Sequence, residues 1–208
     1  MEGDALPELP PGAFAKQDPG DDLAFYEPAR LVTHLDAGAI HALTACYREH
    51  LPDGTHVLDL MSSWVSHLPA ERDYPQVVGH GMNAQELSAN PRLSRWFVQD
   101  LNRATTLPLD DVMFDAALCC VGAQYLQQPV AVFQEVRRTL RRGAPFIVSF
   151  SNRCFPTKAV AIWRSLDTAG HAALVQLYLE RAGFTAISAH VLADGRSSDP
   201  LVAVIGHA

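Results

Sequence analysis

Two aspartates, a pair of serines and several histidines stand where this chain could do chemistry. Asp59 lies at the end of the apolar run THVLDL (55–60), and Met61, Ser62 and Ser63 follow it directly. Asp100 and Leu101 end a second such run, RWFVQDL (95–101). Cys120 and Val121 lie at the end of a third, FDAALCCVG (114–122), and Asn152 and Arg153 follow a fourth, APFIVSFS (144–151). No GxSxG elbow surrounds Ser62 or Ser63, so they read as hydroxyls that bond backbone or ligand, not as nucleophiles. His67 and His80 each have two readings, a general base or a histidine that supports the site. The nine histidines raise the question of a metal, but HxxxH, HxH and HExxH patterns are absent and no metal is assigned. Cys119 and Cys120 sit among apolar neighbours, which keep a thiol protonated and inert. Asp59 is either a ligand group or a helix cap, and Asp100 a ligand group or a turn residue. Arg153 either pairs with an acidic ligand or lies along the surface.

The elements that must position these residues alternate. Asp36 is placed to cap a helix whose Ile40, Leu43 and Tyr47 share one face. A turn at Pro52-Asp53-Gly54 leads into the strand over 55–60. Strands follow at QVVGH (76–80), 95–101 and 114–122, with a short helix over 83–89. The run 114–122 is apolar throughout, as expected of a strand buried on both faces. Pro129 opens a helix whose Val130, Phe133, Val136 and Leu140 point inward and whose C-terminal end is crowded with arginines. After the strand at 144–151, helices are predicted around 157–166 and 169–182. Two strands, FTAISAHVL (184–192) and PLVAVIGHA (200–208), end the chain. Only seven residues separate this last pair, too few for a parallel crossover, so they must run antiparallel. The expected fold is α/β, Rossmann-like: a seven-stranded, mostly parallel sheet with a reversed last strand and helices on both faces.

At 208 residues the chain suits one domain. Residues 1–25, rich in Pro, Gly and Asp, read as a flexible arm or a surface strap, and 26–208 as a single domain. The net charge of −7 argues against a broad grip on phosphate backbones. A small molecule is the expected partner, with no nucleic acid, no membrane and no indication of oligomeric state. The start of the chain lacks a basic-then-apolar leader, no run approaches a membrane span, and no CxxC occurs. A cytoplasmic location is expected.

In order and spacing the segments VLDL (57–60), QDL (99–101), LPL (107–109), FDAAL (114–118), FQEVRRTLRRGAPFIVSFSN (133–152) and ERAGF (180–184) resemble a known family. It is the class I S-adenosylmethionine-dependent methyltransferases, in a type 11-like variant with a serine-rich first loop, and the similarity runs from residue 29 to the end. The resemblance implies S-adenosyl-L-methionine as cofactor and methyl transfer to a small-molecule acceptor. Carried over by position, Asp59, Met61, Ser62 and Ser63 would cradle the methionine part, and Asn83 would take the ribose, with Glu86 as a second choice. Asp100 and Leu101 would meet the adenine, and Cys120 and Val121 would line the transfer site. Tyr26, Tyr125 and Trp64 are candidates for an aromatic wall around the sulfonium. Tyr26, Tyr125, Asn152 and Arg153 would meet the acceptor.

The chain departs from that family at two places. Met61 to His67 contains no glycine, where the family turns tightly and brings its backbone close to the ligand. The second strand ends in Gly79-His80-Gly81-Met82-Asn83, without a carboxylate. A catalytically silent, methyltransferase-like interaction or regulatory protein is therefore the alternative reading. A nucleotide-dependent oxidoreductase has no GxGxxG to support it and is disfavoured by the reversed strand.

Overall fold

The computed structural model describes residues 6–208. Its sheet has seven strands: β1 (His56–Leu60), β2 (Gln76–Gly81), β3 (Arg95–Val98), β4 (Ala116–Cys120), β5 (Pro145–Ser151), β6 (Thr185–Ala193) and β7 (Leu201–His207), in spatial order β3-β2-β1-β4-β5-β7-β6. The pairings from β3 through β5 are parallel. β7 inserts between β5 and β6 and runs antiparallel to both, and the short 194–200 connection requires its antiparallel pairing with β6.

Helices pack on both faces. Helix α1 (Asp22–Tyr26) belongs to the N-terminal segment, and α2 (Ala37–His50) starts at Asp36, whose carboxylate accepts from the Ala39 amide at 2.9 Å. Leu43 and Tyr47 of α2 join Val57, Leu118 and Ile147 in the core of one face. α3 (Ala84–Ala89), α4 (Pro129–Thr139), α5 (Ala161–Ser165) and α6 (Thr168–Arg181) complete the set. Phe133 and Val136 of α4 and Val175 and Tyr178 of α6 fill the opposite core against Phe146 and Val148.

The crossover from β1 to β2, residues 61–75, carries no helix. Its Ser-Ser pair, β-branched Val65 and Pro69 are poor helix material, and no apolar 3.6-residue period runs through it. The buried backbone groups that a helix would satisfy internally therefore need other partners. Side chains supply them. Asn90 donates to the Ser63 carbonyl and the Ser66 hydroxyl, both at 2.9 Å, and Thr44 donates to the His67 carbonyl at 3.0 Å. Leu68 and Tyr74 bury the face that the helix would have covered. Asp59 thus caps no helix.

Residues 6–25 of the segment read as an arm lie as a strap across the domain, and the strap runs on through 26–36. Lys16 bridges to Val160, and the amides of Ala161 and Ile162 donate to Ala15 and Ala13. Lys16 and Lys158, both with buried side chains, converge on the buried carboxylate of Asp22, and Lys158 also reaches Asp18 at 3.0 Å. Ion pairs withdrawn from water in this way stay intact because losing one partner strands the other. Residues 1–5 of the predicted arm lie outside the described residues.

Candidate active site

A cavity of about 480 Å³ opens at the carboxyl ends of β1, β2 and β4, where ligands bind in open α/β sheets. Its walls include Asp59 in β1 and Met61 to His67 after it, His80 to Asn83 across the end of β2, Asp100 to Asn102 after β3, and Cys120 to Gly122 across the end of β4. Arg153 to Phe155 after β5 and the strap from Asp22 to Asp36 close it.

Asp59 is a fully buried carboxyl in these walls. Burial, with only the hydroxyls of Ser62 (2.6 Å) and Ser66 opposing it, pushes its carboxyl up to about 6. No cation lies within ion-pair distance of it among the described residues. His80, also fully buried, is a structural clasp. The Met61 amide donates to its Nδ1 at 3.1 Å, so the proton resides on Nε2, which donates to the Gln99 carbonyl at 2.9 Å. Burial pushes this imidazole down to about 4, so it is neutral and already doubly engaged. Of its two readings, the supporting role is the one its bonds serve.

The loop after β1 is drawn tightly to the sheet without glycines of its own. The Ser62 amide donates to the His80 carbonyl at 2.6 Å, and a Cβ on Gly81 would meet the Ser62 carbonyl oxygen at 2.5 Å. A Cβ on Gly122 would meet Met61 Cβ at 2.8 Å. The glycines that permit close approach therefore sit on the neighbouring strand ends. Met61, His67 and Val121, all lining the cavity, hold positive φ of 56°, 54° and 45°. Non-glycine backbone in that region costs about 1–3 kcal/mol each and collects at functional sites.

The cavity brings together Asp59, Met61, Ser62, Ser63, Asn83, Asp100, Leu101, Cys120, Val121, Tyr26, Tyr125 and Arg153. Asn152 is exposed and lies outside its walls. Asn83 caps α3 through its Oδ1 and spends both amide hydrogens on the carbonyls of Tyr26 and Glu27, at 2.9 Å each. The carboxylate at that end is Glu86, which accepts from the Arg30 amide (2.7 Å) and the Ser63 hydroxyl (2.6 Å). Arg153 is paired with Asp199, its Nε and Nη2 at 3.0 and 2.9 Å from one oxygen. The Cys120 thiol is pushed up to about 12, first by burial, and is protonated at neutral pH. Trp64 donates from Nε1 to the Val32 carbonyl at 3.0 Å, tying the loop to the strap.

Sequence reasoning missed Arg30, His34, Asn102 and Phe155 as wall residues. The one local signal was Asp21, which caps α1 by accepting from the Leu23 amide. The contacts that fold the strap over the cavity are long-range and leave no periodicity.

A family model described as a methyltransferase domain matches residues 65–148, beginning just past the serine pair. No curated protein matches the chain. Among solved structures, a S-adenosylmethionine-dependent methyltransferase from Aquifex aeolicus superposes with a TM-score of 0.60 at 16% identity, covering 90% of this chain and 98% of that one. The complex of the Haloferax volcanii Trm112 methyltransferase activator with its candidate methyltransferase gives 0.63 at 15% identity, covering 82% and 89%. The [4+2]-cyclase SpnF gives 0.58 at 16% identity, covering 79% and 80%. With its β3-β2-β1-β4-β5-β7-β6 sheet the chain has the fold of the class I S-adenosylmethionine-dependent methyltransferases, and its residues 65–148 are similar to a methyltransferase domain.

Proposed function

We propose that this protein binds S-adenosyl-L-methionine in the strand-end cavity and transfers its methyl group to a small molecule held under the strap. The observation that carries this reading is Asp59, a fully buried carboxyl facing the cavity with hydroxyl partners but no cation. A cationic ligand would supply the missing charge, and the cofactor carries both an ammonium and a sulfonium. Its donor set fits the other walls as well. Glu86 offers a carboxylate near the loop after β1, and Asp100 is buried at the end of β3. Tyr26, Tyr125 and Phe155 present aromatic faces favourable to positive charge.

When bound, the cofactor supplies an activated methyl group with a neutral thioether as leaving group. The protein's share is positioning and exclusion of water. The loop from Met61 to Ser66 is fixed to β2 by the His80 clasp, and the strap roofs the cavity through Asn83, Glu86 and Trp64. Holding two reactants in line lowers the barrier by removing their freedom of approach. His34 and His67 line the cavity with pKa lowered, first by burial, so each is available neutral to accept a proton from an acceptor that must lose one. Within this reading the protein is an enzyme that works in the cytoplasm.

One observation favours a silent, methyltransferase-like protein: the helix that normally follows the first strand is missing, and no glycine-rich loop replaces it. The similarity to SpnF, a cyclase, is a reminder that this fold does not dictate methyl transfer. Native mass spectrometry of the purified protein separates the readings. The enzyme reading expects a mass increment of S-adenosylmethionine or S-adenosylhomocysteine that disappears in Asp59→Asn. An unliganded mass that stays unchanged on adding either compound supports the silent one.

A further inference from the structure

We propose that the guanidinium of Arg30 is the carboxylate-binding group for the methyl acceptor, which is a small, flat aromatic acid. The inference rests on the methyl-transfer reading of the same cavity. Two arginines line that cavity, and they differ in how their charge is met. Arg153 gives Nε and Nη2 to Asp199 and is neutralised there. Arg30 has no carboxylate within ion-pair distance among the described residues. Its side-chain hydrogen bonds run to backbone carbonyls, Nη2 to Phe25 at 3.0 Å and Nη1 to Pro28 at 3.3 Å. A guanidinium has five N–H donors, so three are left over.

The group is nonetheless firmly placed. Its central carbon lies 4.9, 5.8 and 5.4 Å from the ring centroids of Phe25, Tyr26 and Phe155. Those rings meet one another edge-to-face at 4.9 to 6.1 Å, and Tyr125 adds a fourth, fixed by the Phe155 amide donating to its hydroxyl at 2.9 Å. Stacking on aromatic faces offsets part of the cost of drawing a cation out of water, but it supplies no counter-charge. A planar, preorganised guanidinium with free donors matches a carboxylate through two parallel hydrogen bonds. The surface beside it, made of Tyr26, Phe155 and Tyr125, accepts a flat ring.

The cofactor's own methionine carboxylate has the same chemistry, so the experiment must tell the two sources apart. Calorimetry is performed on the full chain saturated with S-adenosylhomocysteine, with cinnamate as probe and cinnamamide as its neutral counterpart. Cinnamate is expected to bind, and cinnamamide at least about tenfold more weakly, the usual scale for a lost charged hydrogen bond. Arg30→Met should weaken cinnamate by a similar factor and leave S-adenosylhomocysteine unchanged, and Arg30→Lys should recover part of the loss. Equal binding of the two probes, or of neither, overturns the proposal. So does an Arg30→Met variant that loses affinity for S-adenosylhomocysteine but keeps it for 5′-methylthioadenosine, because the carboxylate would then be the cofactor's. Failure of the unsubstituted protein to bind S-adenosylhomocysteine overturns the methyl-transfer reading itself, and the acceptor subsite with it.

Discussion

Asp59→Asn is expected to stabilise the ligand-free protein at pH 7.5 and, in the same molecule, to weaken cofactor binding about a hundredfold. Burial raises the Asp59 carboxyl from 3.8 to about 6, so at pH 7.5 the fold carries an ionised group it would prefer protonated. A raised folded pKa adds stability below the unfolded value, and that stability is lost as pH climbs through about 6. The loss is about 3 kcal/mol for a shift of this size. Asparagine keeps the shape and removes the charge. Denaturant unfolding should therefore show the variant more stable by about 3 kcal/mol at pH 7.5, with the gap closing towards pH 4. Binding should move in the opposite direction, because in the proposed function the carboxylate that burdens the free protein is the one that meets the ligand's positive charge. Removing one partner of a buried charged pair costs about 2–5 kcal/mol. Below pH 6 the unsubstituted protein should also bind more weakly and release a proton on binding, visible as a buffer-dependent heat.

His80→Phe is the second large effect, and it is structural. The ring fills its buried space but leaves the Met61 amide and the Gln99 carbonyl without the partners found at 3.1 and 2.9 Å. Each orphaned buried group costs about 1–3 kcal/mol, for a sum of about 4. For a chain of this size that lowers Tm by about 10 °C. The pH dependence identifies the cause. Burial depresses His80 from 6.5 to about 4, so its contribution is present above 6.5 and is lost as pH falls towards 4. The gap between the two proteins should be widest at pH 7 and narrow on acidification by about 3 kcal/mol. A gap independent of pH would mean that the histidine is not the neutral clasp described.

The two groups respond to acid in opposite senses, and this decides how the parent protein behaves. Between pH 6 and 4, Asp59 gains about as much as His80 loses. Asp59→Asn should therefore unmask the acid sensitivity of His80, a difference that the parent protein conceals.

How much of this was legible in the sequence follows from the range of the interactions involved. Strand and helix positions depend on local period and caps. Asp36 before Ala37, Pro129 at the start of α4 and the short span before β7 were all readable, and the last of these gives the reversed final strand. Clustering of Asp59, Asp100 and Cys120 was readable for the same reason, since strand ends in a parallel sheet converge. Asn83, Asn152 and Arg153 were less readable, because side-chain commitments are settled by distant partners. Tyr26 and Glu27 consume Asn83, and Asp199 consumes Arg153. The strap was the least readable of all. Its Pro, Gly and Asp composition suggests an arm, yet Lys158, about 140 residues further on, fastens it through Asp18, Asp22 and the Gly20 carbonyl. Arg30 is likewise placed by a distant partner, its amide donating to Glu86.

The central claim is that the strand-end cavity holds a nucleoside sulfonium cofactor in spite of its serine-rich, helix-less crossover. Isothermal titration of the full-length protein with S-adenosylmethionine and S-adenosylhomocysteine at pH 7.5 tests it most directly. Saturable binding of both at one site per chain is expected, with the affinity of both falling in Asp59→Asn. Absence of saturable binding by either compound to the unsubstituted protein would contradict the account.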